Sequence, residues 1–144
     1  MATETSSLSA TARDVAWLLR NFNESVNDVE QTVAVSADGL LMATAGPSDR
    51  SAADRLAAVV SGLRSLGEGG AQVIGKGGVR QIIVEMGSGF LFVSSISGGS
   101  VLGVLTGEGC DLAAVGYEMA LLVERCGPSL TPDIVAELKS GLAG

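Results

Sequence analysis

The sequence predicts an α/β (α+β) fold in which helices cover both faces of an antiparallel sheet. Helical and strand periodicities alternate in the order α-β-β-α-β-β-β-α, followed by a short helical tail. Consecutive strands are separated by turn-sized gaps, which indicates antiparallel neighbours, because a parallel return needs a dozen or more residues. The last three strands are apolar on both pleats, so we expect both faces of the sheet to be covered. A chain of 144 residues fits one domain.

The first helix is predicted from Thr11, with Ser9 as its N-cap. Four apolar side chains share one of its faces: Val15, Leu18, Leu19 and Phe22. We expect Trp17 to pack in the core or against another helix. Residues 23–28, NESVND, are predicted to form a polar connector.

The next segment predicts a β-hairpin. Val33 and Val35 alternate with smaller residues, and residues 40–44 resume as a strand. Ala37-Asp38-Gly39 lies between the two strands, and Asp-Gly closes tight hairpins because it tolerates positive φ.

A second, amphipathic helix is predicted over residues 49–66, with Ser48 as N-cap and Asp49 in the first turn. Its apolar residues follow at spacings of four, three, four and three: Ala52, Leu56, Val59, Leu63 and Leu66. Its C-terminal limit stays open because glycines follow. Residues 70–77, GAQVIGKG, match seven positions of a P-loop but lack its final Ser or Thr, so they predict a flexible connector.

Three strands are predicted over residues 79–86, 90–95 and 101–106. Arg80 and Glu85 are interpreted as edge charges that deter aggregation. The alternatives are an arginine finger directed at a partner's nucleotide for Arg80 and a catalytic acid for Glu85.

A third helix is predicted from Asp111 to Cys126 and is apolar nearly all round, which indicates burial on several sides. Gly127 and Pro128 end it, and Thr131-Pro132-Asp133 opens a tail helix. Cys110 and Cys126 are expected to be buried. On one helix they would be about 24 Å apart, too far for a disulfide.

Composition excludes several classes of function. The net charge is −7 without a basic stripe, which argues against nucleic acid as a partner. The first residues carry an acid and no apolar core of a signal peptide, and the most apolar tract, 89–105, is interrupted by SSISGGS, so we expect a cytoplasmic protein without membrane insertion. The chain has no histidine, which excludes a Ser-His triad and imidazole ligands. We therefore predict no enzyme, no catalytic residue, no metal and no cofactor.

Four segments resemble the Roadblock/LC7 domain family in its bacterial, actinobacterial conservon-type form. They are TVAVSADGLLMA (32–43), DRSAADRLAAVVSGLRSL (49–66), VRQIIVEMGSGFLFV (79–93) and VGYEMALLVERCGPSLTP (115–132). The resemblance covers most of the chain and implies a flexible N-terminus over 1–9, a Roadblock/LC7 domain over 10–127 and a helical tail over 128–144.

The resemblance implies a central five-stranded antiparallel sheet, with the first and third helices on one face and the second on the other. It also implies a homodimer in which the third strands pair and the second helices pack together. The interface residues carried over are Leu56, Val59, Gly62, Leu63, Leu66, Arg80, Gln81, Ile82, Ile83, Val84 and Glu85.

For function, the resemblance implies a non-catalytic regulator or scaffold that binds a small Ras-like GTPase in a signalling complex, with a GTPase-activating role as one form of that regulation. A sensor-kinase-like membrane protein is a further implied partner, which places the chain at the periphery of a membrane complex. The alternative is a small-molecule-sensing module. That alternative needs a pocket with convergent polar groups, and the small, interdigitating core residues argue against a large cavity.

Overall fold

The computed structural model describes residues 8–143, which form four helices around one five-stranded antiparallel sheet. The strands are β1 (Val29–Val35), β2 (Leu41–Ala45), β3 (Gln81–Met86), β4 (Gly89–Ser95) and β5 (Val101–Gly107). The helices are α1 (Ala10–Ser25), α2 (Arg50–Ile74), α3 (Leu112–Cys126) and α4 (Pro132–Ala143). The predicted fold class and element order are confirmed.

The strands lie in the order β2-β1-β5-β4-β3, and each pairs antiparallel with its neighbours. The hairpins β1–β2 and β3–β4 are therefore joined through β5, which occupies the centre. At one side Ala34 lies opposite Ala43, and at the other Ile83 lies opposite Phe92. This order leaves β2 and β3 as the two edges of the sheet.

Two apolar clusters lie on the two faces of the sheet. The larger contains Leu19 of α1 and Met119 of α3 packed on Phe92 and Val104. The smaller contains Ala53, Ala57 and Val60 of α2 packed on strand residues of the opposite face. At Gly103 of β5, an added Cβ would lie 2.5 Å from the Cγ2 atom of Val60, so glycine permits the close approach of α2.

Polar side chains cap the helix N-termini, as N-cap chemistry requires. The Ser9 hydroxyl accepts a hydrogen bond from the backbone N–H of Ala12 (3.2 Å), as predicted. For α2 the cap is Asp49, whose carboxylate accepts from the N–H of Ala52 (2.8 Å). The prediction of Ser48 as N-cap was wrong by one residue.

Three local predictions for the outer helices were wrong. The connector over residues 23–28 begins inside α1, which continues to Ser25 because Phe22 is buried in its last turns. Trp17 is 54% exposed, since it lies opposite the buried face of α1. The helix α3 buries one face only, and Tyr117 on its outer side is 64% exposed.

The region after Leu66 also differs from its prediction. The helix α2 continues through residues 67–74 and ends where Gly75 adopts the left-handed conformation, with φ of 75°. Residues 70–77 are thus mostly helical rather than a connector. The helix stays close to the sheet here because Gly67 has no side chain: a Cβ would lie 3.2 Å from both Val79 and Ile82.

The two cysteines lie near the two ends of α3. Both cysteines are free; Cys126 is buried, but Cys110 precedes α3 and is half-buried.

The predicted flexible N-terminus, 1–9, lies mostly outside the described residues. Of its last two residues, Leu8 packs against the larger cluster and Ser9 caps α1.

Candidate functional site

The edge strand β3 is exposed along its whole length. Four of its six residues are exposed, and Ile82 and Val84 are half-buried. The carbonyl of Arg80 accepts a hydrogen bond from the N–H of Ser95 (3.0 Å). Because hydrogen-bonded positions alternate in an antiparallel pair, the backbone groups of Gln81, Ile83 and Glu85 point away from β4. These groups form an open pairing edge.

The side chains of β3 divide between the two faces of the sheet. Ile82 and Val84 pack against the smaller cluster, on the face of the sheet that carries α2, and so do Leu56 and Leu63. On the other face Ile83 is 47% exposed. An exposed edge strand with isoleucine at its centre is a template for pairing with another chain.

An apolar seam runs along α2 beside this edge. Its members continue the four-three spacing of the sequence over the whole helix: Ala52, Leu56, Val59, Leu63, Leu66, Gly70 and Val73. Three of them are large and exposed, Val59 by 51%, Leu66 by 78% and Val73 by 88%. A repeat of seven residues is the period with which two helices pack against each other.

The seam and the edge form one surface. Leu56 and Leu63 of the seam pack against the smaller cluster, and so do the half-buried Ile82 and Val84 of β3, so both elements adjoin the same apolar cluster. We call this region the α2–β3 surface. It comprises the seam together with residues 80–86, and contiguous apolar exposure of this kind marks an interaction site.

Ten of the eleven interface residues named from the resemblance lie on this surface, and the eleventh, Gly62, lies on α2 next to Leu63. The exposed ones are Val59, Gly62, Leu66, Arg80, Gln81, Ile83 and Glu85, and the half-buried ones are Leu56, Leu63, Ile82 and Val84. Sequence reasoning missed Val73, Ile74 and Met86, which are exposed at its end. The signal for Val73 was present, because the four-three spacing continues past Leu66 through Gly70.

The opposite edge strand, β2, is closed. Leu41, Met42, Ala43 and Ala45 are all buried, and Thr44 is half-buried. The helix α4 lies against β2, and α1 packs across it. The two edges of one sheet therefore differ in exposure.

A cleft of about 640 Å³ lies between the end of α1 and the start of α3. It is a solvent-open groove, and its lining includes Asn27, Asp28, Asp111 and Glu118. Binding sites for small molecules are mostly apolar and enclosed, so this acidic groove does not favour the sensing alternative.

The α2–β3 surface was also compared with the positions of charged and metal-ligating side chains within residues 8–143. These residues contain no group of three or more Cys, Asp or Glu side chains placed to bind a metal ion. Arg64 of α2 is engaged internally, since its Nη1 donates to the carbonyl of Gly99 (2.9 Å). Arg80 is exposed beside the open edge. Among the described helices, none has the length and apolar character needed to cross a membrane.

Comparison with known proteins identifies the family. Residues 15–106 match the Roadblock/LC7 domain model. The crystal structure of a Roadblock/LC7 domain from Streptomyces avermitilis is 41% identical and superposes with a TM-score of 0.76, covering 80% of this chain and 96% of that chain. The chain belongs to the Roadblock/LC7 family. No curated protein sequence matches it.

More distant structures share the fold of this Roadblock/LC7 protein. MglB from Myxococcus xanthus is 17% identical, with a TM-score of 0.74, and the match covers 80% of this chain and 93% of that chain. MglB solved in a tetrameric arrangement is 15% identical, with a TM-score of 0.75 over 92% of this chain and 97% of that chain. At these identities the likeness concerns the fold.

Proposed function

We propose that this Roadblock/LC7 protein forms a homodimer through the α2–β3 surface and that the dimer binds and modulates a small Ras-like GTPase. The observation that supports the dimer best is the coincidence of an unpaired strand edge and a seven-residue apolar repeat on one side of the molecule. A second copy offers the complement of both, because a two-fold axis pairs each element with itself.

Rough magnitudes show how the two elements combine. Covering Val59, Leu66 and Val73 in both copies contributes at most about 1.5–3 kcal/mol for each side chain, the value for full burial. Association costs about 4–15 kcal/mol in lost translational and rotational freedom. The two totals are of the same order, so backbone pairing along β3, at about 0.5–1.5 kcal/mol per hydrogen bond, adds to the stability that the seam provides.

The pairing has a preferred register. The free backbone groups belong to Gln81, Ile83 and Glu85, so a two-fold axis through Ile83 uses all of them. It places Ile83 opposite its twin and Gln81 opposite Glu85 of the other copy. This register keeps like charges apart and joins the two sheets into one of ten strands.

The proposed role in the cell follows from the family and from the absence of catalytic equipment in the sequence. A joined sheet with helices on both faces offers a broad, rigid surface, which suits a scaffold or regulator rather than an enzyme. The partner is a Ras-like GTPase, and the site of action is the cytoplasm beside a membrane signalling complex that includes a sensor-kinase-like protein. The domain proper is 10–127, and the tail is 128–144.

Titration with a Ras-like GTPase from the organism that carries this chain tests the functional proposal. We expect calorimetry to detect association with the GTPase loaded with GDP or with a non-hydrolysable GTP analogue. Hydrolysis of GTP, followed as phosphate release with and without the protein, separates activation from scaffolding. No association in either nucleotide state would contradict the proposal.

A further inference from the structure

We propose that α4 is a stop for sheet assembly: it shields the β2 edge from a second copy of this chain and leaves β3 as the pairing edge. The limit of two copies rests on the proposed dimer. The shielding of β2 by α4 does not. The helix α4 lies beyond residues 15–106, which match the family domain model.

The position of α4 follows from its apolar contacts. Leu138 is buried in the larger cluster, on the face of the sheet that carries α1 and α3. One turn later, Leu142 packs against the smaller cluster, on the face that carries α2. A single helix can reach both faces only by passing around an edge of the sheet, and the strand it contacts there is β2.

Polar contacts fasten α4 at both ends of β2. Before the strand, Lys139 Nζ lies 3.2 Å from the Asp38 carboxylate in the hairpin turn. After it, the Arg50 guanidinium donates to the carbonyl of Leu142. At the N-cap of α1, the N–H of Ser9 donates to the carboxylate of Glu137 (2.9 Å).

The apolar contacts dominate the attachment. The Lys139–Asp38 pair is partly exposed, and a surface pair of this kind contributes about 0–1 kcal/mol. Burying a leucine contributes about 1.5–3 kcal/mol. Replacing both leucines with aspartate should therefore release the helix, because each carboxylate would have to enter an apolar cluster.

An uncovered β2 would be a second pairing edge. An edge strand presents unpaired N–H and C=O groups, and proteins commonly cover such edges with a helix or a loop. A chain with both edges open can pair at each of them, so copies add without limit. With α4 in place, β2 is covered by a helix, whereas the β3 edge is exposed.

The test uses the full chain carrying Leu138→Asp and Leu142→Asp, with Ala136→Asp and Ser140→Asp as the matched control. The control adds the same charge at two exposed positions of α4. We expect the leucine variant to lose hydrogen-exchange protection in α4 and to form assemblies of more than two copies that grow with concentration. The control should keep the mass of the unaltered chain. Adding Ile83→Arg to the leucine variant should limit it to two copies, paired through β2.

Several results would overturn the proposal. One is an unchanged mass with α4 unprotected, and another is growth that Ile83→Arg does not limit. Retained protection of α4 would also overturn it, because the two leucines would then not hold the helix. If the amides of the central strand β5 also lose hydrogen-exchange protection, the double substitution has disturbed the core. The single variant Leu142→Asp is then tested by the same measurements, because Leu142 is already half-exposed.

The same experiment distinguishes the shielding of β2 by α4 from the proposed dimer through the α2–β3 surface. If the unaltered chain is monomeric, the dimer through α2 and β3 fails. The stop still stands if the leucine variant then pairs through β2 and Ile83→Arg leaves that pairing unchanged.

Discussion

Cys126 is a buried thiol in the last turn of α3, and its surroundings determine its chemistry. Its side chain is 1% exposed, and its Sγ donates to the carbonyl of Leu122 (2.9 Å). Burial raises the pKa of the Cys126 thiol to about 11, because the thiolate would lose its hydration. In the unfolded chain a cysteine titrates near pH 8.5.

This shift predicts a loss of stability at alkaline pH. Between about pH 8.5 and 11 the unfolded chain releases the Cys126 proton while the folded chain retains it. The free energy of unfolding must therefore fall as pH rises through this window. Urea unfolding at several pH values, compared with Cys126→Ala, measures the effect. The advantage of the parent over the variant should shrink above pH 9, and a constant difference would contradict the assignment.

At the residue scale, the sequence predicts burial where spacing determines it. Val15, Leu19 and Phe22 share a helical face and are buried as expected. Trp17 was misplaced because its size, rather than its position on the helix, suggested burial. Asp49 rather than Ser48 caps α2, and a pattern with two adjacent capping residues does not distinguish them.

Among the elements, α2 extends furthest past the rest of the fold. Its 25 residues span about 37 Å at 1.5 Å per residue, longer than any strand of the sheet. Val73 and Ile74 near its C-terminal end are consequently exposed. An isolated helix of this length would not keep an apolar seam in water without a partner for it.

Leu66→Asp tests the α2 seam. In the proposed dimer the seam residues of both copies are covered. The substitution therefore removes two leucines from the interface and introduces two carboxylates into it. The loss of about 1.5–3 kcal/mol per leucine predicts dimerisation weakened roughly 100-fold or more. Sedimentation equilibrium measures the dissociation constant. Ala58→Asp, which introduces the same charge at another exposed position of α2, should change it little.

Ile83→Arg tests the β3 edge. The two-fold axis would bring two guanidinium groups together at the centre of the strand pair, so like charges oppose pairing. We expect a monomer in light scattering. Trp17→Arg is the control, because Trp17 is exposed to a similar degree, 54% against 47% for Ile83, and lies outside the α2–β3 surface. A dimer of unchanged mass in the Ile83 variant would refute the edge assignment.

Element order and the β1–β2 hairpin could be predicted because turn residues and periodicity are local signals. The length of α2 could not, because three glycines among residues 67–70 are unfavourable in a helix. At Gly67 the unfavourable helix propensity of glycine is offset by close packing on Val79 and Ile82. These contacts come from the tertiary structure and cannot be predicted from the local sequence. The apolar spacing along α2 was therefore followed up to Leu66, and the exposed Val73 and Ile74 were missed.

For the whole molecule, the decisive feature is the asymmetry of its two sheet edges. The β2 edge is buried beside α4, and the β3 edge is exposed beside an apolar helix seam. The apolar pattern of the strands does not reveal this difference, because it depends on where the tail helix packs. In the proposed dimer, this asymmetry directs association to the side of β3.

The mass of the unaltered full chain in dilute solution tests the central claim most directly. Sedimentation equilibrium over a range of concentrations should give two copies of the 14.5 kDa chain, about 29 kDa, without larger species. A mass of one copy at every concentration would contradict the account, because the β3 edge and the α2 seam would then remain in water without a partner.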